Sequence, residues 1–403
     1  MTTAELPDAF RHLSIADGLR SSAARSPDKI AYRHDAETRS YAQLLDRVDR
    51  LSAGLITDLG LKVGEHGAIV AKNSIAYMEA VFGASQAGIA LATVNPKLAP
   101  AEIAAICDDA DAQVLFVDAD SAEALAGIEL PSVQRVIELG AELDDWLAAQ
   151  QPGPLPVVPE WEGFTNPYTS GTTGKPKGVL VPHRSRALSM FAMASEYGCY
   201  SPDDRFLAIA PMCHGAGMIF ALAPVFFGGH AEIMAGFDPE LVMQRLRDGE
   251  MTGFFGVPTH FHALMNLPRD TLEALRPQHL TTIISNAAPL PQAMKERLVE
   301  FFGPGMLHET YGSTEAGIVT NLRPVDQLRK RACVGQPIPA TLVEVRREDG
   351  GICDVDEVGE LFSSSPYLFN GYWNKPAATA EAYHDGWVTV GDLARRDAEG
   401  HIY

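Results

Sequence analysis

The segment Tyr168-Thr169-Ser170-Gly171-Thr172-Thr173-Gly174-Lys175-Pro176-Lys177-Gly178 gathers hydroxyls, glycines and two lysines into one short run. Phosphate binding needs that combination: backbone N–H groups exposed where only glycine fits, hydroxyl donors, and cationic points. The order is not that of a Walker loop, because Gly171 is followed five residues later by Pro176 and not by Gly-Lys-Ser or Gly-Lys-Thr. A kinase-like P-loop fold is thereby disfavoured. Any four of these residues alone would read as a polar surface turn, whereas the whole run in this order points to a nucleotide phosphate site.

Upstream of this loop the chain alternates between helix and strand. Tyr41, Leu44, Leu45, Val48, Leu51 and Leu55 follow helical spacing, and residues 67–71 read as a buried strand. Asn73 or Ser74 can cap a helix that runs to Ala87 and stops at Gly88, after which residues 89–94 resume strand character. Residues 101–107 read as helix and 113–118 as strand, so an α/β fold with a mostly parallel, helix-covered sheet is expected. Prolines at 152, 154, 156 and 159 make residues 151–160 a stiff connector. Downstream, residues 281–284 read as strand and 292–302 as helix. After Pro324 short β-rich runs at 341–345, 360–363 and 387–390 alternate with turns. The expected organisation is an α/β subdomain over 1–160, a second with the phosphate loop over 161–324, and a β-rich, barrel-like subdomain over 325–403.

At 403 residues the chain is too long for one ordinary core. Its 46% hydrophobic content beside 21% charged residues excludes a disordered or fibrous chain. A formal charge of -20 disfavours a nucleic-acid or anionic-membrane surface, so an anionic ligand needs locally placed donors and a metal. Five scattered cysteines form no CxxC pair and read as reduced buried thiols. No signal-like segment opens the chain, and the apolar region 206–234 is broken by prolines, glycines and histidines, so no membrane span and a cytoplasmic location are expected.

Four further segments carry chemistry. Tyr311-Gly312-Ser313-Thr314-Glu315 places an aromatic, a hydroxyl and a carboxylate within five residues. Ser285-Asn286-Ala287-Ala288-Pro289-Leu290 follows a buried strand with side chains small enough for a flat ring to approach. Trp387-Val388-Thr389-Val390-Gly391-Asp392 ends on a carboxylate, and Pro211-Met212-Cys213-His214-Gly215 holds a histidine in an apolar run. Each alone would be a turn or, for His214, a satisfied core histidine.

Together with the loop, these segments resemble the adenylate-forming superfamily of acyl-CoA synthetases, luciferases and peptide-synthetase adenylation domains. The resemblance implies a layered αβαβα large domain with two sheets and a small distorted β-barrel. It implies ATP, Mg²⁺ and coenzyme A as cofactors and a small-molecule carboxylate as substrate, with a homodimer admissible and no nucleic-acid partner. Thr169, Ser170, Gly171, Thr172, Thr173, Gly174 and Lys177 inherit contact with the ATP phosphates. Tyr311 would stack on adenine and Thr314 would touch the α-phosphate. Glu315, with Thr169, would hold Mg²⁺. Asn286, Ala287 and Ala288 would border the adenine, Glu309 would accept from its amino group, and Asp392 would accept from both ribose hydroxyls.

Pro211, His214 and Gly217 satisfy the Pro-x-x-His-x-x-Gly pattern of members acting on acyl or aryl acids, in which the histidine borders the carboxylate tunnel. Asn286 stands where glycine is frequent, and Val390 where Thr, Ser or Arg is usual. His183, His260 and His308 are left as structural. The resemblance further implies a hinge and a mobile domain of roughly a hundred residues after Tyr403, carrying a catalytic lysine and much of the CoA surface. That C-terminal domain is expected to be absent from these residues.

The expected activity is ATP-dependent conversion of an aryl or medium-chain acid to acyl-AMP, followed by transfer to coenzyme A. An adenylation module serving a carrier protein, a luciferase-like oxygenase, or a nucleotide-binding module without chemistry are the alternatives. Phe254, Phe255, Val257, Met218, Asn286 and Ile318 are the side chains expected around the acyl group.

Overall fold

Ser74 starts a helix as expected: its hydroxyl accepts from the Tyr77 N–H at 3.0 Å, and the helix Ile75–Ala87 ends at Gly88, whose φ of 75° suits only glycine without strain. The flanking strands His66–Val70 and Ala90–Val94 are buried at every position, which a parallel sheet covered on both faces requires. The computed structural model describes residues 13–170 and 176–403. Residues 151–159 have no regular structure, in keeping with their prolines.

Three sheets organise the described residues. The nine-stranded sheet runs, edge to edge, through Gln336–Pro337, Gly317–Leu322, Leu307–Ser313, Thr282–Ser285, Gly253–Gly256, Arg205–Ala208, His230–Ile233, Ile30–His34 and Glu37–Ser40. Its interior from Leu307–Ser313 to Ile30–His34 is parallel, with antiparallel strands added at both edges. The eight-stranded sheet is parallel among Gly163–Thr165, Ala90–Val94, His66–Val70, Ala112–Val117 and Arg135–Glu138. The β-rich end forms a five-stranded antiparallel sheet around Gly359–Ser364.

These sheets are not successive pieces of chain. Tyr32, near the start, lies opposite Ala231, and Gly371–Tyr372 pairs with Pro176–Pro182 in the eight-stranded sheet. The changes of texture near residues 160 and 324 are therefore changes in sequence character, across which strands are exchanged. Between the two large sheets lies one apolar core drawn from the helices Ile15–Arg25, Tyr41–Ala53, Ile75–Ala87, His183–Tyr197 and Gly215–Phe226. Every residue from Gly217 to Phe226 is buried, so the apolar run of the sequence is interior. Among the described residues no helix is long and apolar enough to cross a membrane.

Candidate active site

The two ends of the expected phosphate loop lie on paired strands. Tyr168–Ser170 runs antiparallel to Pro176–Pro182 with Thr169 opposite Lys177 and Tyr168 opposite Gly178. Gly171, Thr172, Thr173, Gly174 and Lys175 lie outside the described residues. The hairpin stem is fastened where the Tyr168 hydroxyl donates to Asp109 Oδ2 at 2.9 Å. Lys177 Nζ stands 5.1 Å from the centre of the Tyr372 ring, a cation–π distance. The Tyr372 hydroxyl in turn donates to Glu315 Oε1 at 2.8 Å. Glu315 is buried, yet among the described residues its other carboxylate oxygen accepts no hydrogen bond. A hard cation could use that oxygen.

The strand Leu307–Ser313 reaches the site and breaks register between Tyr311 and Gly312 against Gly317–Leu322. A Cβ at Gly312 would fall 2.0 Å from the Gly317 carbonyl oxygen, so the bulge demands glycine. Beyond the bulge Glu315 reaches Tyr372, whereas Tyr311 reaches the β-rich end of the chain. There the Tyr311 hydroxyl donates to Asp392 Oδ2 at 2.6 Å. Burial, and then the bond to Asp392, push the Tyr311 phenol well above its ordinary pKa.

Two cavities meet at this bulge. One, of about 410 Å³, is walled by Ala288, Glu309, Tyr311, Leu361 and Asp392. The other, of about 300 Å³, is walled by Thr169, His214, Ile219, Phe220, Thr314 and Ile318. Asn286, Ala287 and Gly312 line both and form the partition. Lys177 and Glu315 line neither.

The partition follows from the turn after Thr282–Ser285. Asn286 Nδ2 donates to Thr310 Oγ1 at 2.7 Å, and Ala287 holds a φ of +74°, a left-handed conformation that costs a non-glycine residue about 1–3 kcal/mol. Glu309 is anchored from within the protein. Its Oε1 accepts from the Leu290 N–H at 2.8 Å, and its Oε2 meets Lys295 Nζ, both side chains being almost wholly buried. The carboxylate so fixes the turn through Leu290 while bordering the cavity, and each oxygen keeps a further lone pair with which it could accept.

A model of the family described as AMP-binding enzyme matches residues 19–373. The chain belongs to this family. It is 32% identical over 385 residues to a feruloyl-CoA synthase from Amycolatopsis sp, covering 94% of this chain and 76% of that protein. It is 29% identical over 397 residues to a 2-succinylbenzoate–CoA ligase from Geobacillus kaustophilus, covering 97% and 77%. Among solved structures, the N-terminal domain of FACL13 from Mycobacterium tuberculosis superposes with a TM-score of 0.90 at 26% identity, covering 97% of this chain and 99% of that one.

In this AMP-binding enzyme the spacing of Pro211, His214 and Gly217 has a packing cause. His214 precedes the helix Gly215–Phe226, and a Cβ at Gly217 would fall 2.0 Å from the Pro211 carbonyl oxygen. The imidazole lies on the cavity wall, open to solvent but surrounded by protein on its other sides, and the resulting desolvation lowers its pKa from the usual histidine value. His183, His260 and His308 take the structural places expected of them. His183 Nδ1 accepts from the Ile15 N–H at 3.3 Å, His260 caps its helix through the Val257 N–H at 3.4 Å, and His308 Nδ1 meets Asn321 Nδ2 at 3.0 Å.

The acyl surround differs in part from expectation. Asn286 and Ile318 do line the cavity, but its apolar wall comes from Ile219 and Phe220. Phe255 stacks behind Phe220 at 4.3 Å between ring centres, Met218 is wholly buried, and Phe254 belongs to a separate apolar cluster. Sequence reasoning also missed Tyr372, Lys295 and Arg186. Arg186 sits on a helix turn whose neighbours Ser185, Ala187, Ser189 and Met190 are buried.

Proposed function

We propose that the joined cavities are an acid-activating site in which a carboxylate oxygen attacks the α-phosphorus of ATP, forming acyl-AMP and releasing pyrophosphate. The thiol of coenzyme A then attacks the acyl carbon of the mixed anhydride, forming the thioester and releasing AMP. The observation that carries this reading is the shared wall of Asn286, Ala287 and Gly312, with a tyrosine–aspartate pair on one side and an apolar chamber on the other.

Each residue has work suited to its place. Tyr311 offers a ring face and Asp392 an exposed carboxylate to a nucleoside. Thr314 and Thr169 stand at the polar end of the second cavity, where hydroxyls can donate to phosphate oxygens. Ser170, Gly171, Thr172, Thr173, Gly174 and Lys177 are assigned to the departing pyrophosphate on their residue types. The residues fit Mg²⁺ bound with a triphosphate: Glu315 presents a carboxylate oxygen that no described residue uses. Mg²⁺ characteristically takes one or two carboxylates plus substrate phosphates, and there it would offset charge on the leaving group. His214 borders the chamber as a neutral imidazole, so it leaves the acid's negative charge uncancelled and able to attack. Positioning and electrostatics account for such a reaction without a covalent enzyme intermediate.

A cavity of about 300 Å³ suits an aryl or medium-chain acid. A cytoplasmic location and a homodimer remain parts of this reading, tested by fractionation and by light scattering. Carboxylate-dependent exchange of labelled pyrophosphate into ATP, across aromatic and aliphatic acids, tests the activity. Exchange that no acid stimulates would leave a nucleotide-binding module.

A further inference from the structure

Within the acyl cavity sits one charged side chain that the site described above does not use. Arg186 is 8% exposed, lines the cavity with Ser189, His214 and Gly215, and makes no hydrogen bond or ion pair with any described residue. Its Nε is buried without an acceptor among the described residues. Among the described residues the cavity wall contains no aspartate or glutamate, and residues 171–175, Gly-Thr-Thr-Gly-Lys, contain none in sequence. Desolvation lowers the guanidinium pKa to about 10, so it is still a cation at neutral pH.

A buried, unpaired arginine is costly, and proteins keep such groups where a partner arrives from outside. A second feature points the same way. The helix Gly215–Phe226 begins at this wall with no side-chain cap, and its first residues, Gly215 and Ala216, line the cavity. Uncapped N–H groups and the positive end of a helix favour an anion. An Arg186 nitrogen lies 3.7 Å from where a Cβ on Gly215 would be, so guanidinium and helix start address the same space.

We propose that Arg186, with the start of the helix Gly215–Phe226, receives a second carboxylate of the acid, so that the substrate is a dicarboxylic acid joined through a short apolar spacer. This rests on the acid-activating reading above. The reacting carboxylate is the poorer partner for two reasons. A guanidinium on it would withdraw the electron pair that must attack phosphorus. Once adenylated, that group no longer carries the carboxylate charge and would leave the arginine unpaired through the second half-reaction. A distal carboxylate stays charged from binding to release, as a fixed buried cation requires. Ile219, Phe220 and Ile318 then face the spacer.

The test measures pyrophosphate exchange with matched acids, adipate against hexanoate and isophthalate against benzoate, in the protein and in Arg186→Leu and Arg186→Lys. The protein should favour the dicarboxylate of at least one pair. Arg186→Leu should lower kcat/KM for that acid on the order of 10²-fold, mainly through KM because the ion pair is equally present in ground and transition states. Arg186→Lys should retain part of the preference.

Preference for the monoacid in both pairs would overturn the proposal. So would an equal loss for both acids of a pair in Arg186→Leu, which would put the guanidinium on the reacting carboxylate. A loss of ATP affinity with the acid preference unchanged would assign it to the triphosphate and equally overturn the proposal. Should Arg186→Leu fail to fold, Arg186→Lys and the preference of the unaltered protein decide. If no acid supports exchange, the adenylation reading has failed by itself. Calorimetric titration of adipate and hexanoate in the presence of ATP then decides Arg186 separately: tighter adipate binding supports it and equal or absent binding overturns it.

Discussion

The Tyr311 hydroxyl donates to Asp392 Oδ2 across 2.6 Å, tying a strand of the nine-stranded sheet to the β-rich end of the chain over 81 residues of sequence. The bond orders an exposed carboxylate at the cavity where a nucleoside would lie. Asp392→Ala should weaken ATP binding by about 1.5–3 kcal/mol, the cost of losing hydrogen bonds to a charged acceptor. Tyr311→Phe, which keeps the ring and frees Asp392, should cost only about 0.5–1.5 kcal/mol. Isothermal calorimetry checks both, and unchanged affinity in Asp392→Ala contradicts the ribose assignment.

Glu315→Gln keeps an acceptor for the Tyr372 hydroxyl but removes the charge. The fold should survive, with an unchanged thermal midpoint. Pyrophosphate exchange should fall by about 10²–10³ and the Mg²⁺ concentration for half-maximal rate should rise. Near-normal exchange at unchanged Mg²⁺ dependence removes Glu315 from the metal site.

Lys295→Met strands the Glu309 carboxylate in a buried site and should destabilise the protein by about 3–5 kcal/mol. Lys295→Met with Glu309→Gln removes the orphaned charge while the amide oxygen still accepts from Leu290, and should recover most of that loss. Urea unfolding of the single and double variants measures it. Equal stability for both would show that the buried pair is not coupled.

Acid should unfold this protein earlier than its carboxylates alone would dictate. Burial pushes the wholly buried His183 down to about 3, and His230 and His308 to about 4, each far below the roughly 6.5 of an unfolded histidine. A depressed folded pKa means that the unfolded chain takes up the proton first. Stability is therefore full above pH 6.5 and is lost as pH falls toward the folded values, at up to about 1.4 kcal/mol per pH unit for each histidine. His183→Asn, whose amide oxygen can accept from the Ile15 N–H, should flatten the decline between pH 6.5 and 5 by up to about 2 kcal/mol. An unaltered slope in urea midpoints would assign the acid lability elsewhere.

Much of this arrangement is legible in the sequence because it is local. The cap at Ser74, the stop at Gly88 and the helix Gln292–Phe302 follow from neighbouring residues. Gly312 and Gly217 are likewise local, since each answers to a carbonyl five or six residues away. What was not legible depends on pairing across the fold. Lys295 lies in a helix with polar neighbours and reads as solvent-facing, yet it is 1% exposed because Glu309 lies opposite it on the adjoining strand. Phe254 and Phe255 look equivalent, but successive strand residues face opposite sides, and only Phe255 reaches the layer behind the acyl cavity. Arg186 was invisible as a site residue because nothing beside it in sequence announces that its surroundings contain no acid.

The exchange of strands between distant parts of the chain also sets an order of assembly during synthesis. The strand Pro176–Pro182 bears Lys177, and one of its edges is completed by Gly371–Tyr372, nearly two hundred residues later. Tyr372 is also the ring that Lys177 faces and the donor to Glu315. A ribosome must therefore deliver residues 371 and 372 before this hairpin gains its last neighbour. Until then the hairpin edge is open, the stage at which a nascent sheet is most prone to pair with the wrong strand.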